Sequence, residues 1–314
     1  MTAWMALVAL LFAFCLDRWF GEPLARWHPV VWMGHYLAWA GQRVAPPQAR
    51  DWRREFFAGL FGWLAGAALV AAAAWSFQWS VVQFPEWAGA LLLGVAFKPM
   101  LAWRLLRDEV GAVERALGES LAAGRERLAQ LVNRDVEHLS EGQVRESAIE
   151  SLAENLNDSV VAPVFWFVLL GLPGAALYRF ANAADAMWGH RGERGGRVWE
   201  WAGKFAAGMY GALSWAPARL TALLIAGTAG GLSWHRMRGE ARRAPSPNSG
   251  WPMAAMALAL GVRLAKPGVY ALNAMAREPA PKDGGQAQAL ASRVVFALLS
   301  LASLAIVLLL QWNP

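Results

Sequence analysis

The sequence is poor in three things: cysteine, lysine and charge. Cys15 is the only cysteine among 314 residues, which excludes an intramolecular disulfide and any cysteine-rich zinc or iron–sulfur centre. Charged residues make up 17% of the chain against 57% apolar, below the roughly 25% charged of an average soluble domain, and the mean hydropathy is +0.29. That balance excludes a disordered chain and argues against an ordinary soluble enzyme; it points to a bilayer. Only Lys98, Lys204, Lys266 and Lys282 are lysines, so 25 of the 29 cations are arginine. Arginine excess suits forked recognition of carboxylate or phosphate, and codon bias produces it equally well. A net charge of +6 is first explained by cytoplasmic loops, so no nucleic-acid partner is expected.

Tryptophan, by contrast, is abundant. Many of the 19, among them Trp4, Trp19, Trp27, Trp32, Trp52, Trp87, Trp103, Trp234, Trp251 and Trp312, lie near the ends of apolar runs, where an amphipathic ring sits at the lipid headgroup level. Full spans are expected at about 3–16, 56–84, 87–103 and 294–312. The run from Phe56 to Pro85 has no charge over 30 residues, more than the ~20 that a perpendicular helix needs. No basic residue precedes the first run, so it reads as an uncleaved helix rather than a secretory signal.

Between these runs, 104–158 holds 12 acids and seven arginines in a helical rhythm of Leu, Ala and Val, and is expected to be a solvated, cytoplasmic helical region. Arginines and lysines also stud 17–55, 179–204, 235–250 and 263–293, which places every long loop on the cytoplasmic side. A full crossing by 160–178 would contradict this. Pro163 and Gly171-Leu172-Pro173-Gly174 offer a way out, because they break the helix and permit a re-entrant hairpin. The segment 205–234 is expected to be split in the same way, by Pro217 and Arg219. The expected fold is therefore all-α: one integral membrane domain with about four full spans, broken or re-entrant segments and a cytoplasmic helical region. It belongs in the cell's inner membrane, with its site facing the cytoplasm.

Polar residues gather in a few places. Glu146, Glu150, Glu154 and Asp158 recur every four residues, so one helix face carries four carboxylates. Like charges at this spacing repel by roughly 0.2–0.5 kcal/mol per pair, which a Mg²⁺ ion or an arginine cluster would reverse. The stripe reads either as a solvated acidic face or as a metal and nucleotide site. Asn155 and Asn157 at the same end, and the apolar segment that follows, favour the second reading. Mg²⁺ prefers one or two carboxylates plus phosphate oxygens. A second cluster has Asn182 and Asp185 one turn apart, followed by Gly189-His190-Arg191-Gly192, a loop that reads either as a phosphate cradle or as a basic membrane-surface turn. No Walker A pattern occurs, which excludes a P-loop enzyme. Arg219 within an apolar run seeks an anionic partner or snorkels to the surface. His28 and His35 follow the first helix as acid–base groups, ligands or structural residues.

Six motifs, taken in order, resemble the CobD/CbiB family across nearly the whole chain. They are Asp17…Gly21-Glu22-Pro23…His28-Pro29; Asn133-Arg134-Asp135; Glu150-Ser-Leu-Ala-Glu154-Asn155-Leu-Asn157-Asp158 to Pro163; Leu172-Pro-Gly174 to Asn182-Ala-Ala-Asp185; Pro217-Ala-Arg219-Leu-Thr221; and Pro247-Asn248-Ser-Gly250-Trp-Pro252. The resemblance implies an integral membrane adenosylcobinamide-phosphate synthase of cobalamin biosynthesis. Such an enzyme uses ATP and Mg²⁺ to join a corrinoid substrate, adenosylcobyric acid, to aminopropanol phosphate or aminopropanol, beside membrane lipid and other enzymes of the pathway. On that reading Glu150, Glu154 and Asp158 hold Mg²⁺-ATP, with Asn155 and Asn157 positioning it. Asp185 and Asn182 hold metal or the incoming ammonium, and Arg191, Arg219 and Lys266 bind phosphate or corrin carboxylate. Asn248, Asp17 and His28 join the substrate-binding set. One departure stands out: where the family carries Arg-x-Asp-Asp, this chain has Gly208, Tyr210 and Gly211. A divergent paralogue acting as an AmpE-like regulator or scaffold is the alternative this raises.

Overall fold

A computed structural model describes residues 1–49, 51–132 and 134–311. Trp312, at the end of the last expected span, and Asn133 lie outside them. The regular structure of the described residues is almost wholly helical. Its helices are α1 (Ala3–Phe20), α2 (Pro29–Val44), α3 (Trp52–Val81), α4 (Glu86–Phe97), α5 (Trp103–Glu119), α6 (Leu121–Ala129), α7 (Glu141–Leu156), α8 (Ala162–Trp188), α9 (Lys204–Thr228), α10 (Trp234–Ala241), α11 (Gly250–Leu260) and α12 (Pro281–Gln311). Two small antiparallel hairpins interrupt them, β1 (Glu193–Arg194) with β2 (Arg197–Val198), and β3 (Leu264–Lys266) with β4 (Tyr270–Leu272). Five segments are long and apolar enough to cross a membrane: Ala3–Phe20, Trp52–Val81, Glu86–Glu119, Glu141–Trp188 and Pro281–Leu308. The chain is an all-α, multi-pass membrane protein.

Contacts divide it into two compact units. The first comprises 1–101, 162–214 and 302–314. Here α1 packs on α4 and α3 on α8, with Leu10, Leu93, Phe97 and Phe167 fully buried and the rings of Phe97 and Phe167 stacked 4.2 Å apart. Close approach depends on small residues: a methyl on Gly94 would lie 2.9 Å from the Ala9 carbonyl of α1. The expected break in 160–178 falls at Gly171, whose φ of 69° and ψ of −156° leave the helix. Only glycine enters that region readily. The chain folds back so sharply that a methyl on Gly174 would meet the Trp166 carbonyl at 2.5 Å, and Gln78 of α3 accepts the freed Leu172 N–H at 2.8 Å.

The expected split of 205–234 is not there. Helix α9 runs unbroken through Pro217. Proline removes one N–H and so orphans the carbonyl four residues earlier, and that carbonyl, Leu213 O, takes the Trp166 indole N–H at 3.0 Å. A side chain from elsewhere in the sequence therefore mends the ladder that local reading expects to be broken.

The second unit comprises 102–161 and 215–301. Helix α5 is amphipathic, with Leu106, Val110, Val113 and Leu117 buried at helical spacing, and it packs on α6 and α7. The expectation that 104–158 is solvated fails for α7. That helix opens with a capping box, Ser140 and Gln143 exchanging bonds, and then runs through the centre of the unit with Val144, Ile149 and Leu152 buried alongside Arg145, Glu146 and Glu150. Its charges are tolerable because neighbours answer them: Arg145 reaches Glu114 of α5 at 3.0 Å and Glu141 at 2.6 Å.

Candidate active site

The carboxylate ladder of α7 faces the β3–β4 hairpin and the start of α11. Glu146, wholly buried, receives Arg263 Nε at 2.9 Å, and the same guanidinium reaches Glu278 at 2.8 Å. One turn on, Glu150 is 5% exposed. Both of its oxygens are engaged, one by Arg134 at 2.9 Å and the other by the Tyr270 hydroxyl at 2.6 Å. Burial, and then the Glu150 carboxylate it faces, push the Tyr270 phenol well above its ordinary range, so it stays protonated and donates. These bonds staple the hairpin to α7.

The next turn differs. Glu154 is half-buried and its carboxylate takes the Ser249 hydroxyl. It makes no ion pair within 4 Å among the described residues. Asp158 and Glu150 share its electrostatic surroundings, and so does Lys266 at the end of β3. From Asn157 to Val161 the helix widens into a π turn, a local insertion often found at functional positions. The π turn includes Asp158, which still stands close enough to Glu154 to act on it electrostatically. Asp158 accepts the Asn157 side-chain N–H at 2.7 Å, and Asn157 Oδ1 lies 3.1 Å from the Thr221 hydroxyl of α9.

Asn155 stands elsewhere. The residue after Glu154 is turned about 100° around the helix, and its amide bonds the Ser151 carbonyl and hydroxyl at 3.0 and 3.2 Å. It lines a different cavity, of about 390 Å³, with Glu109, Gln130 and Ser159. Among the described residues Arg219 finds no carboxylate. Its partners are the Asn248 side chain, the Trp215 carbonyl at 3.0 Å and the Pro247 carbonyl at 3.1 Å. Buried Asn248, 2% exposed, holds the guanidinium in place. Within this unit the structure thus gathers Glu150, Glu154, Asp158, Asn157 and Lys266 around the α7 end, with Arg219 and Asn248 as a pair. Among the described residues no three of His, Cys, Asp or Glu come together as a metal-ligand group.

The remaining predicted residues belong to the first unit. Asn182 and Asp185 lie one turn apart on α8, half-buried, with Arg179 Nη1 3.4 Å from Asn182 Oδ1 and the Asp185 carbonyl receiving Gly189 N–H at 2.7 Å. Arg191 is exposed, and the neighbouring Gly192 N–H donates to Glu200 at 3.1 Å, so a carboxylate already occupies that part of the expected phosphate cradle. Asp17 and His28 join a network that the sequence reading missed. Lys98, 5% exposed, sits 3.4 Å from Asp17 and 3.1 Å from Glu22, whose other oxygen meets His28 Nε2 at 2.9 Å. His28 Nδ1 accepts Val30 N–H at 3.2 Å and so caps α2. Burial works to raise the Glu22 carboxyl, but His28 and Lys98 outweigh it and hold the group below its usual range. The signal for Lys98 was visible in Lys98-Pro99 interrupting an apolar run. Arg134, Arg263, Ser249 and Tyr270 carry no local pattern that marks them as partners of α7.

The model of the family described as CobD/Cbib protein matches residues 10–299. Curated relatives agree over similar lengths. A probable cobalamin biosynthesis protein CobD of Pyrococcus abyssi is 39% identical, covering 98% of this chain and 99% of its own. The corresponding protein of Thermococcus kodakarensis is 38% identical over 88% of each, and a cobalamin biosynthesis protein CobD of Brucella suis is 37% identical over 84% of this chain and 83% of its own. No solved structure matches the chain.

Proposed function

The chain belongs to the CobD/CbiB family, with a role in cobalamin biosynthesis, and we propose that this role is ATP-dependent amide formation. The reaction joins adenosylcobyric acid to (R)-1-aminopropan-2-ol phosphate, giving adenosylcobinamide phosphate, with the free amino alcohol as an alternative amine. The observation that carries the reading is the contrast along α7. Glu150 is closed off by Arg134 and Tyr270, whereas Glu154 makes no ion pair among the described residues and stands near Asp158 and Lys266.

Hard carboxylate oxygens at Glu154 and Asp158 suit Mg²⁺, which takes one or two carboxylates and completes its shell with phosphate oxygens and water. These two residues would hold it, and Glu150 anchors the hairpin rather than a metal. Bound there, Mg²⁺-ATP supplies the phosphoryl group that makes a carboxylate a competent acyl donor. The chain's own residues do the rest. Arg219, fixed by Asn248, and Lys266 balance negative charge on phosphate and on the corrin carboxylate. As the C–N bond forms, the acyl C–O bond breaks and phosphate leaves towards Arg219 and Lys266, and the Glu154 oxygen that does not face the metal would take the proton the amine gives up. Asn157, tied to Thr221, holds Asp158 in place. The site lies on the cytoplasmic side of the inner membrane, where the nucleotide is found. The test is direct: protein purified in detergent is incubated with adenosylcobyric acid, aminopropanol phosphate and Mg-ATP, and the amide product is sought by mass spectrometry. Formation of adenosylcobinamide phosphate, dependent on ATP, is the expected result; its absence under conditions that keep the protein folded overturns the reading.

A further inference from the structure

The second unit holds a cavity of about 720 Å³ whose lining includes Trp215, Trp234 and Trp251 with Arg219, Arg238 and Arg242. Its lining contains no carboxylate, and neither Arg238 nor Arg242 makes an ion pair among the described residues. Three arginines therefore line one cavity whose lining holds no carboxylate. One of them is pre-set. Arg219 lies over Trp215 and Trp251, with ring centroids 4.9 and 5.1 Å away, and its bonds to Asn248, Trp215 and Pro247 fix the guanidinium plane while Nε has no partner among the described residues. The wall is aromatic, the Trp234 and Trp251 rings standing 4.5 Å apart.

The surroundings narrow the class of ligand. On this part of α9, Trp215 is 60% exposed and Leu223 50% exposed, so the cavity adjoins an apolar outer face. An exposed tryptophan on such a face belongs at the headgroup level. Below it, a basic pocket takes an anionic headgroup, because a guanidinium fork matches phosphate oxygens and the ring faces cover glycerol and the first methylenes.

We propose that this cavity binds the phosphate of an anionic phospholipid headgroup. Arg238 and Arg242 take the lipid phosphate while Arg219 stays with the reaction's anions, and only that division of roles rests on the function proposed above. Arg238 and Arg242 are exposed, so their removal leaves the fold intact. The test compares native mass spectrometry of the detergent-purified chain with phosphatidylglycerol, with phosphatidylcholine, and with sn-glycerol 3-phosphate as the soluble phosphate ester. Wild type should retain phosphatidylglycerol selectively. The double variant R238A/R242A should weaken that binding by about tenfold or more, as loss of charge-assisted hydrogen bonds predicts. The single variant R236A, on the same helix but outside the cavity lining, should keep wild-type binding. Equal retention of both lipids, unchanged binding in R238A/R242A, or an equal loss in R236A overturns the proposal. Glycerol phosphate binding as tightly as phosphatidylglycerol also overturns it and reassigns the cavity to soluble esters. E154Q separates the two readings: it should lose amide formation while retaining the lipid, and a failure of the amidation assay leaves the lipid result standing.

Discussion

In the first unit Lys98 sits between Asp17 and Glu22, and His28 closes the far side of Glu22. In the second, Glu150 is closed in the same manner by Arg134 and Tyr270, but one turn later Glu154 has, among the described residues, the Ser249 hydroxyl and the more distant Lys266. Both regions set buried charge against apolar helices. The first answers its carboxylates with ion pairs, and its histidine doubles as a helix cap; it reads as a clasp joining the start of α2 to the 3₁₀ turn after α4. The second leaves Glu154 without an ion pair among the described residues. Burying charge without full internal compensation is costly, and that cost is tolerated where a ligand supplies the missing partner.

Substitutions separate the two regions most sharply. E154Q keeps the shape and the Ser249 contact but removes the charge. Amide formation should fall by a factor of about 10² or more, the scale of a lost general base, while the melting temperature in detergent stays within a few degrees. K98M should do the reverse. It leaves Asp17 and Glu22 buried without their cation, a loss of about 3–5 kcal/mol, read as a lower melting temperature and poor recovery from membranes. A K98M protein as stable as wild type would dissolve the distinction between clasp and site.

Y270F probes the staple in between. It removes the donor to Glu150 and leaves that oxygen unpaired, a cost of about 1–3 kcal/mol. The β3–β4 hairpin should exchange its amide hydrogens faster, with a smaller fall in activity than E154Q produces. Protection of the hairpin unchanged from wild type would show that Arg134 alone holds Glu150.

How much of this was legible in the sequence depends on range. The four-residue recurrence of Glu146, Glu150 and Glu154 shows on one helix, and so do the break at Gly171 and the long apolar run that became α3. All three are local: a periodicity, a glycine two residues before a proline, an uncharged stretch. The continuity of α9 through Pro217 was not legible, because the repair comes from Trp166, far away in sequence. The same holds for α7, which looked solvated by composition and is buried because Arg134, Arg263 and Tyr270 meet its acids across long separations. The π turn at 157–161 is the subtler case. A pattern counted in steps of four cannot reveal that the turn holding Asp158 is wider, although Asp158 stays within electrostatic reach of Glu154.

The smallest expected effect concerns acid. Glu22 is held below its ordinary range by His28 and Lys98 against the opposing pull of burial. Its folded-state proton affinity is thus lower than in the unfolded chain, so the unfolded state takes up the proton first as pH falls. Stability from this group is fully present above the ordinary glutamate range near pH 4.3 and is lost as pH drops through the depressed folded value. Protonating Glu22 also removes one of the two carboxylates beside Lys98. Thermal melts of wild type and E22Q should therefore converge as pH is lowered from about 6 towards 3, wild type losing the larger share. The amidation-deficient E154Q should follow the wild-type curve, because its change lies in the other unit. If E22Q and wild type keep a constant difference across that range, the clasp does not depend on the Glu22 charge, and the closed network of the first unit owes its stability to packing instead.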